Sequence, residues 1–176
     1  YYNPSMNEIV FPASILQPPF FDADADDAVN YGAIGAVIGH EISHGFDDMG
    51  SQYDADGNLR DWWTAEDRAR FAARTGVLVA QYGAYEPLPG YPIDGALSLG
   101  ENIADNAGLA IAFQAYQRSL GGRPAPVIDG LEGAQRFFYG FAQVWRGKQR
   151  EAALIEQIKA GPHAPGEFRA NGTVRN

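Results

Sequence analysis

The stretch "VIGHEISHGFDD", residues 37–48, sets His40 and His44 four residues apart, with Glu41 directly after the first. Positions i and i+4 share one face of an α-helix, so both imidazoles can offer a nitrogen to the same ion. Glu41 lies roughly a third of a turn from His40 and can reach a water bound to that ion. The same letters also fit an ordinary polar helix face whose histidines are hydrogen-bonded within the protein. The surrounding chain has to separate the two readings.

Residues 28–46 are small and apolar, with Tyr31, Ile34, Ile38 and Ile42 at helical spacing, which predicts a buried helix. Gly32, Gly35 and Gly39 cost helix propensity there and imply that another element passes close to that face. A phosphate-cradling loop is excluded, because no Lys-Ser/Thr follows and the G-x-G spacing is absent. Upstream, "DADADD" at 22–27 spaces Asp22, Asp24 and Asp26 like a calcium loop. Asp27 stands where that loop needs glycine, however, and Ala33 where it needs glutamate. It reads as a solvated helix start, where carboxylates meet the positive end of the dipole. Residues 9–11 predict one short edge strand ended by Pro12.

Downstream, "DADGN" at 54–58 is a turn, and Thr64 is the N-cap of a helix running to about residue 82. Three prolines and two glycines make 86–97 a loop. Further helices are expected over 98–119, 131–145 and 151–159, separated by a Gly/Pro loop at 121–130, with a turn-rich tail after them.

A catalytic zinc needs three protein ligands. The chain holds three histidines and no cysteine, and the third, His163, is remote in sequence. Gly50 stands where a metzincin would place its histidine. Carboxylates remain. In "SLGENIADNAG", residues 98–108, Glu101 and Asp105 are four apart and share a helix face. That suits Glu101 as a ligand and Asp105 as the group that fixes a histidine tautomer from behind. A polar patch near a helix start would look the same in isolation. Asp47, three after His44, is either a ligand or a partner behind one, and the second is favoured.

Bulk composition bounds the rest. The 176 residues, 45% hydrophobic and 20% charged, suit one globular domain. A net charge of -9 without a basic stripe gives nucleic acid nothing to hold. No run is long enough to span a membrane, and the first residues do not read as a signal peptide. Opening on Tyr1 without methionine, the chain reads as a piece of something longer.

"NEIVFPASILQPPFF", "GAVIGHEISHGFDDMG", "DWW", "LGENIADNAGLA", "FAQVW" and "HAPGEFRANGT" together resemble, in order and spacing, the C-terminal catalytic region of the neprilysin and endothelin-converting-enzyme family of zinc endopeptidases. The resemblance runs through the whole chain. It implies a mainly helical α+β fold of the zincin type, with a thermolysin-like active-site helix and the third ligand on a second helix. Residues 1–176 would be the C-terminal part of the catalytic domain. On the matching positions, His40, His44 and Glu101 become ligands of one Zn2+ and Glu41 the general base, with Asp105 orienting His40 and Asp47 doing so for His44. His163 resembles the family's oxyanion-binding histidine and Arg169 the arginine that grips a substrate carbonyl. Ile15, Phe20, Val37, Val144 and Trp145 match the apolar pocket for the residue after the scissile bond.

The resemblance has limits. The family's Asn-Ala pair before two aromatics is absent ahead of Tyr1 and Tyr2, and family members continue past Asn176 and carry a large helical lid region. What it implies is cleavage of oligopeptides on the amino side of hydrophobic residues. The rival is a zinc- or peptide-binding piece that needs the remainder of the parent enzyme for activity. Exposed apolar surface would then favour self-association. The resemblance also implies an extracytoplasmic address, with no membrane contact by this segment.

Overall fold

The computed structural model describes residues 1–176. A two-stranded antiparallel sheet, β1 (Tyr2–Asn3) and β2 (Glu8–Ile9), pairs Tyr2 with Ile9 and Asn3 with Glu8. The Val10 N–H donates to the Tyr1 carbonyl at 2.9 Å, so pairing ends one residue before Phe11. Seven α-helices follow: α1 (Asp27–Asn30), α2 (Ala36–Ser43), α3 (Ala65–Gly83), α4 (Leu99–Ser119), α5 (Gly133–Val144), α6 (Glu151–Ala160) and α7 (Gly166–Thr173). The protein is mainly helical with a small sheet, as the sequence implies.

The helix expected over 28–46 is not uniform. A π turn at Tyr31–Gly35 joins α1 to α2, and a 3-10 turn, His44–Phe46, ends the run. The π turn lies where Gly32 meets α5, whose Phe137 carbonyl occupies the place a Cβ would take. Gly39 does the same against α4: a Cβ there would stand 2.7 Å from the Gly108 carbonyl oxygen and 2.8 Å from its Cα. Gly108 in turn has no room for a Cβ against the His40 N–H and the Ala36 carbonyl. Gly35 meets only ordinary contacts and is not required. This pair of bare faces lets α2 and α4 approach backbone to backbone, which sets His40 beside Glu101 and Asp105.

The core lies behind that crossing. Ala28, Ala36, Leu109, Ala112, Tyr116, Phe137 and Phe141 are buried together. A smaller cluster, Tyr82, Ile93 and Ala164, joins α3 to the segment leading into α7. Thr64 caps α3 as expected, its hydroxyl accepting from the Asp67 N–H at 3.1 Å. Helix α5 starts at Gly133 rather than Leu131, because Leu131 pairs with Ile128 and Glu132 forms a capping box with Gln135. Asp26 is not simply solvated: it pairs at 2.7 Å with buried Arg136. The tail expected to be turn-rich contains α7.

Candidate metal centre

His40 and His44 project from α2 and its terminal turn, Glu101 from the first turn of α4. One donor atom from each lies within 4.8 Å of the others. His40 Nδ1 is 2.8 Å from Asp105 Oδ1, and His44 Nδ1 is 2.7 Å from Asp47 Oδ2. Ionised carboxylates only accept, so each Nδ1 carries the hydrogen and each Nε2 turns its lone pair inward. The two Nε2 atoms stand 3.0 Å apart. Glu101 Oε2 is 3.2 Å from His40 Nε2, and Oε1 is 3.9 Å from His44 Nε2. Oε2 is buried and accepts no hydrogen bond of good direction.

His40 Nε2, His44 Nε2 and Glu101 thus converge on one point where they could hold a metal ion, and a nitrogen, nitrogen, oxygen set suits zinc. The same crowding shows in the ionisation of these groups. Burial disfavours the charged His40 ring, but its bonds to Asp105 and Glu101 outweigh this and lift the pKa to about 9. Burial likewise works against ionised Glu101. His163 and His40 prevail and hold its carboxyl far below the usual range.

Asp105 is buried at the base of the site. Arg169, from α7, grips it twice, Nε to Oδ2 and Nη2 to Oδ1, each at 2.7 Å. Burial opposes its charge, yet bonds to Arg169 and His40 keep its pKa below the usual value. The Arg169 guanidinium lies over the Trp145 ring, 3.8 Å from its centroid. Asp47 is clasped as well, its Oδ1 accepting from the N–H groups of Met49 and Gly50 at 2.9 and 2.7 Å. His163 is about half exposed, with Nε2 3.0 Å from Glu101 Oε2.

Two cavities flank the triad and share His40, Glu41 and His163. One, of about 120 Å3, is lined also by Val37, Phe141, Val144, Trp145 and Arg169. The other, of about 430 Å3, opens toward Tyr1, Tyr2, Met49 and Tyr53. Glu41 stands at their border. Val37, Val144 and Trp145 thus come together beside the metal site. Ile15 and Phe20 do not line that cavity, and the Phe20 carbonyl instead accepts from the Ile34 N–H at 3.0 Å. Sequence reasoning missed the Arg169–Asp105 pair and the stacking on Trp145, because contacts this far apart in the chain leave no local spacing to read.

A profile of peptidase family M13 matches residues 1–176. Neprilysin-11 of Caenorhabditis elegans is 49% identical over all of this chain and 21% of its own length, and neprilysin of Homo sapiens is 46% identical over all of the chain and 24% of its own. The chain therefore spans about a quarter or less of those relatives. Among solved structures, the zinc metalloprotease Zmp1 of Mycobacterium tuberculosis in complex with an inhibitor superposes with a TM-score of 0.97 at 63% identity, covering all of this chain and 28% of that one. No helix here is long and apolar enough to cross a membrane. A match over its whole length, at this identity, places the chain in peptidase family M13.

Proposed function

We propose that this chain carries the zinc centre and the catalytic base of an endopeptidase that cuts oligopeptides on the amino side of hydrophobic residues. The observation that carries the reading is the inward-facing set of His40 Nε2, His44 Nε2 and Glu101, with each Nδ1 engaged by a carboxylate.

His40, His44 and Glu101 would hold zinc, which would supply Lewis-acid polarisation of the scissile carbonyl and activation of a water. Glu41, at the border of the two cavities, takes the proton of the attacking water and delivers it to the leaving amine. Asp105 and Asp47 hold the two imidazoles in the tautomer that leaves Nε2 free. His163 donates to the oxygen on which charge develops, a contribution of roughly 3 kcal/mol for such a donor. Arg169 spends Nε and one Nη2 hydrogen on Asp105 and keeps further N–H groups for a substrate carbonyl. The cavity lined by Val37, Val144 and Trp145 receives the apolar side chain after the cut bond. The address of such an enzyme is outside the cytoplasm.

Glu41→Gln keeps the three ligands and removes the base. It should bind zinc as the wild type does and lose cleavage of a quenched hydrophobic peptide by at least a hundredfold; full turnover would overturn the role of Glu41. A second reading is favoured by the share of the relatives that this chain spans: a peptide- or zinc-binding piece that becomes an efficient peptidase only with the remainder of the enzyme.

A further inference from the structure

Two glycine contacts hold the centre together at different depths. The deeper one, Gly39 against Gly108, sets α2 on α4 beneath His40. The outer one involves Gly100, the residue before Glu101. A Cβ on Gly100 would stand 2.9 Å from Asp48 Oδ1 and 3.1 Å from Asp47 Oδ2. Carbon and oxygen ordinarily settle at about 3.3–3.6 Å. Gly100 lies within α4 and has no positive φ, so its backbone does not call for glycine. Glycine is also less favourable than alanine in a helix. What the position uses is the missing side chain.

Asp47 is held by hydrogen bonds, and Asp48 Oδ1 is enclosed although no bond holds it. Asp47 Oδ2 is held by His44 Nδ1 at 2.7 Å, and Asp47 Oδ1 by the Met49 and Gly50 N–H groups. Asp48 Oδ1 is buried without a hydrogen-bond partner. A methyl at position 100 therefore pushes the Asp47–Asp48 turn away from α4. His44 moves with the turn and Glu101 with the helix.

We infer that Gly100 is a positioning residue for the metal centre: its bare Cα lets the Asp47–Asp48 turn close on the first turn of α4, and that closure sets the gap between His44 and Glu101, now 3.9 Å from Nε2 to Oε1. The inference rests on the reading that His40, His44 and Glu101 hold zinc. It adds a residue that touches neither metal nor substrate.

The test compares the wild type, Gly100→Ala, Asp48→Ala and the double variant. Zinc affinity is read by competition with a chromophoric chelator, and ligand geometry by the visible absorption of the Co2+ forms. Thermal melting of each metal-free protein runs alongside. Gly100→Ala should bind zinc at least tenfold more weakly and shift the Co2+ bands. Its metal-free fold should survive with only a small change in melting temperature, since the helix preference of alanine offsets the displaced turn. Asp48→Ala alone should stay within about threefold of the wild type, and added to Gly100→Ala it should recover most of the loss, because it removes the nearer oxygen. Wild-type affinity and Co2+ spectrum in Gly100→Ala would overturn the inference. So would a double variant no better than the single, or loss of the metal-free fold together with the metal, which would make this a fold contact. A wild-type protein that takes up no zinc would instead sink the metal-centre reading, and the inference with it.

Discussion

Asp105 serves two partners through one carboxylate: Oδ1 accepts from His40 and Arg169, and Oδ2 accepts from Arg169. An amide in its place can accept through only one oxygen and turns an N–H2 toward a partner that also donates. Asp105→Asn should weaken zinc binding by about 10- to 100-fold. It should also cost roughly 3 kcal/mol of stability, because the buried Arg169 charge loses its counter-ion. Chelator competition and urea unfolding check the two effects, and wild-type values in both would contradict the arrangement. At this scale the sequence is informative wherever a helix supplies the period. The four-residue steps from His40 to His44 and from Glu101 to Asp105 put the right atoms on one face before any fold is known. It is silent on Arg169 and Asp105, whose pairing depends on how α7 returns to α4.

Helix α7 shows why an element can escape a reading that its neighbours do not. Its segment holds Pro162, Pro165, Gly166 and Gly172, and local propensity argues for turns. Pro165 is instead the N-cap, and the eight residues after it are held by tertiary contacts, with Arg169 on Asp105 and Gly172 against the Tyr82 ring. Likewise, Arg136 is the one charge in α5, and its burial is explained by an ionic partner. The acidic residues 22–27 hold that partner, Asp26. Tyr82, which ties α3 to α7, yields a pH prediction. Burial favours the neutral phenol and raises its pKa from 10.0 to about 12. The unfolded chain therefore loses this proton first, so the stabilisation is complete below pH 10 and disappears as the pH rises through 12. It amounts to roughly 3 kcal/mol. Tyr82→Phe should flatten the fall in unfolding free energy between pH 10 and 12. An unchanged slope would place the alkaline sensitivity elsewhere.

Over the whole molecule, the face of α2 opposite the core is exposed. Ile42 and Phe46 join Ile9, Tyr2, Tyr53 and Trp62 around an open apolar cavity of about 490 Å3. Apolar surface of this extent favours association. Sedimentation at increasing concentration should show the chain self-associating, and Phe46→Glu should shift it toward monomer; a sharp monomer peak for the wild type at high concentration would count against this. Sequence composition alone does not reveal that face, because Ile38 and Ile42 carry the same helical spacing as residues of the core.

The centre on which all three scales converge is tested most directly by metal content. Elemental analysis of the purified protein after zinc addition and removal of the excess, beside Glu101→Ala, should give close to one zinc per chain for the wild type and a marked loss in the variant. A wild-type chain without zinc, or a variant that retains it fully, would contradict the three-ligand centre.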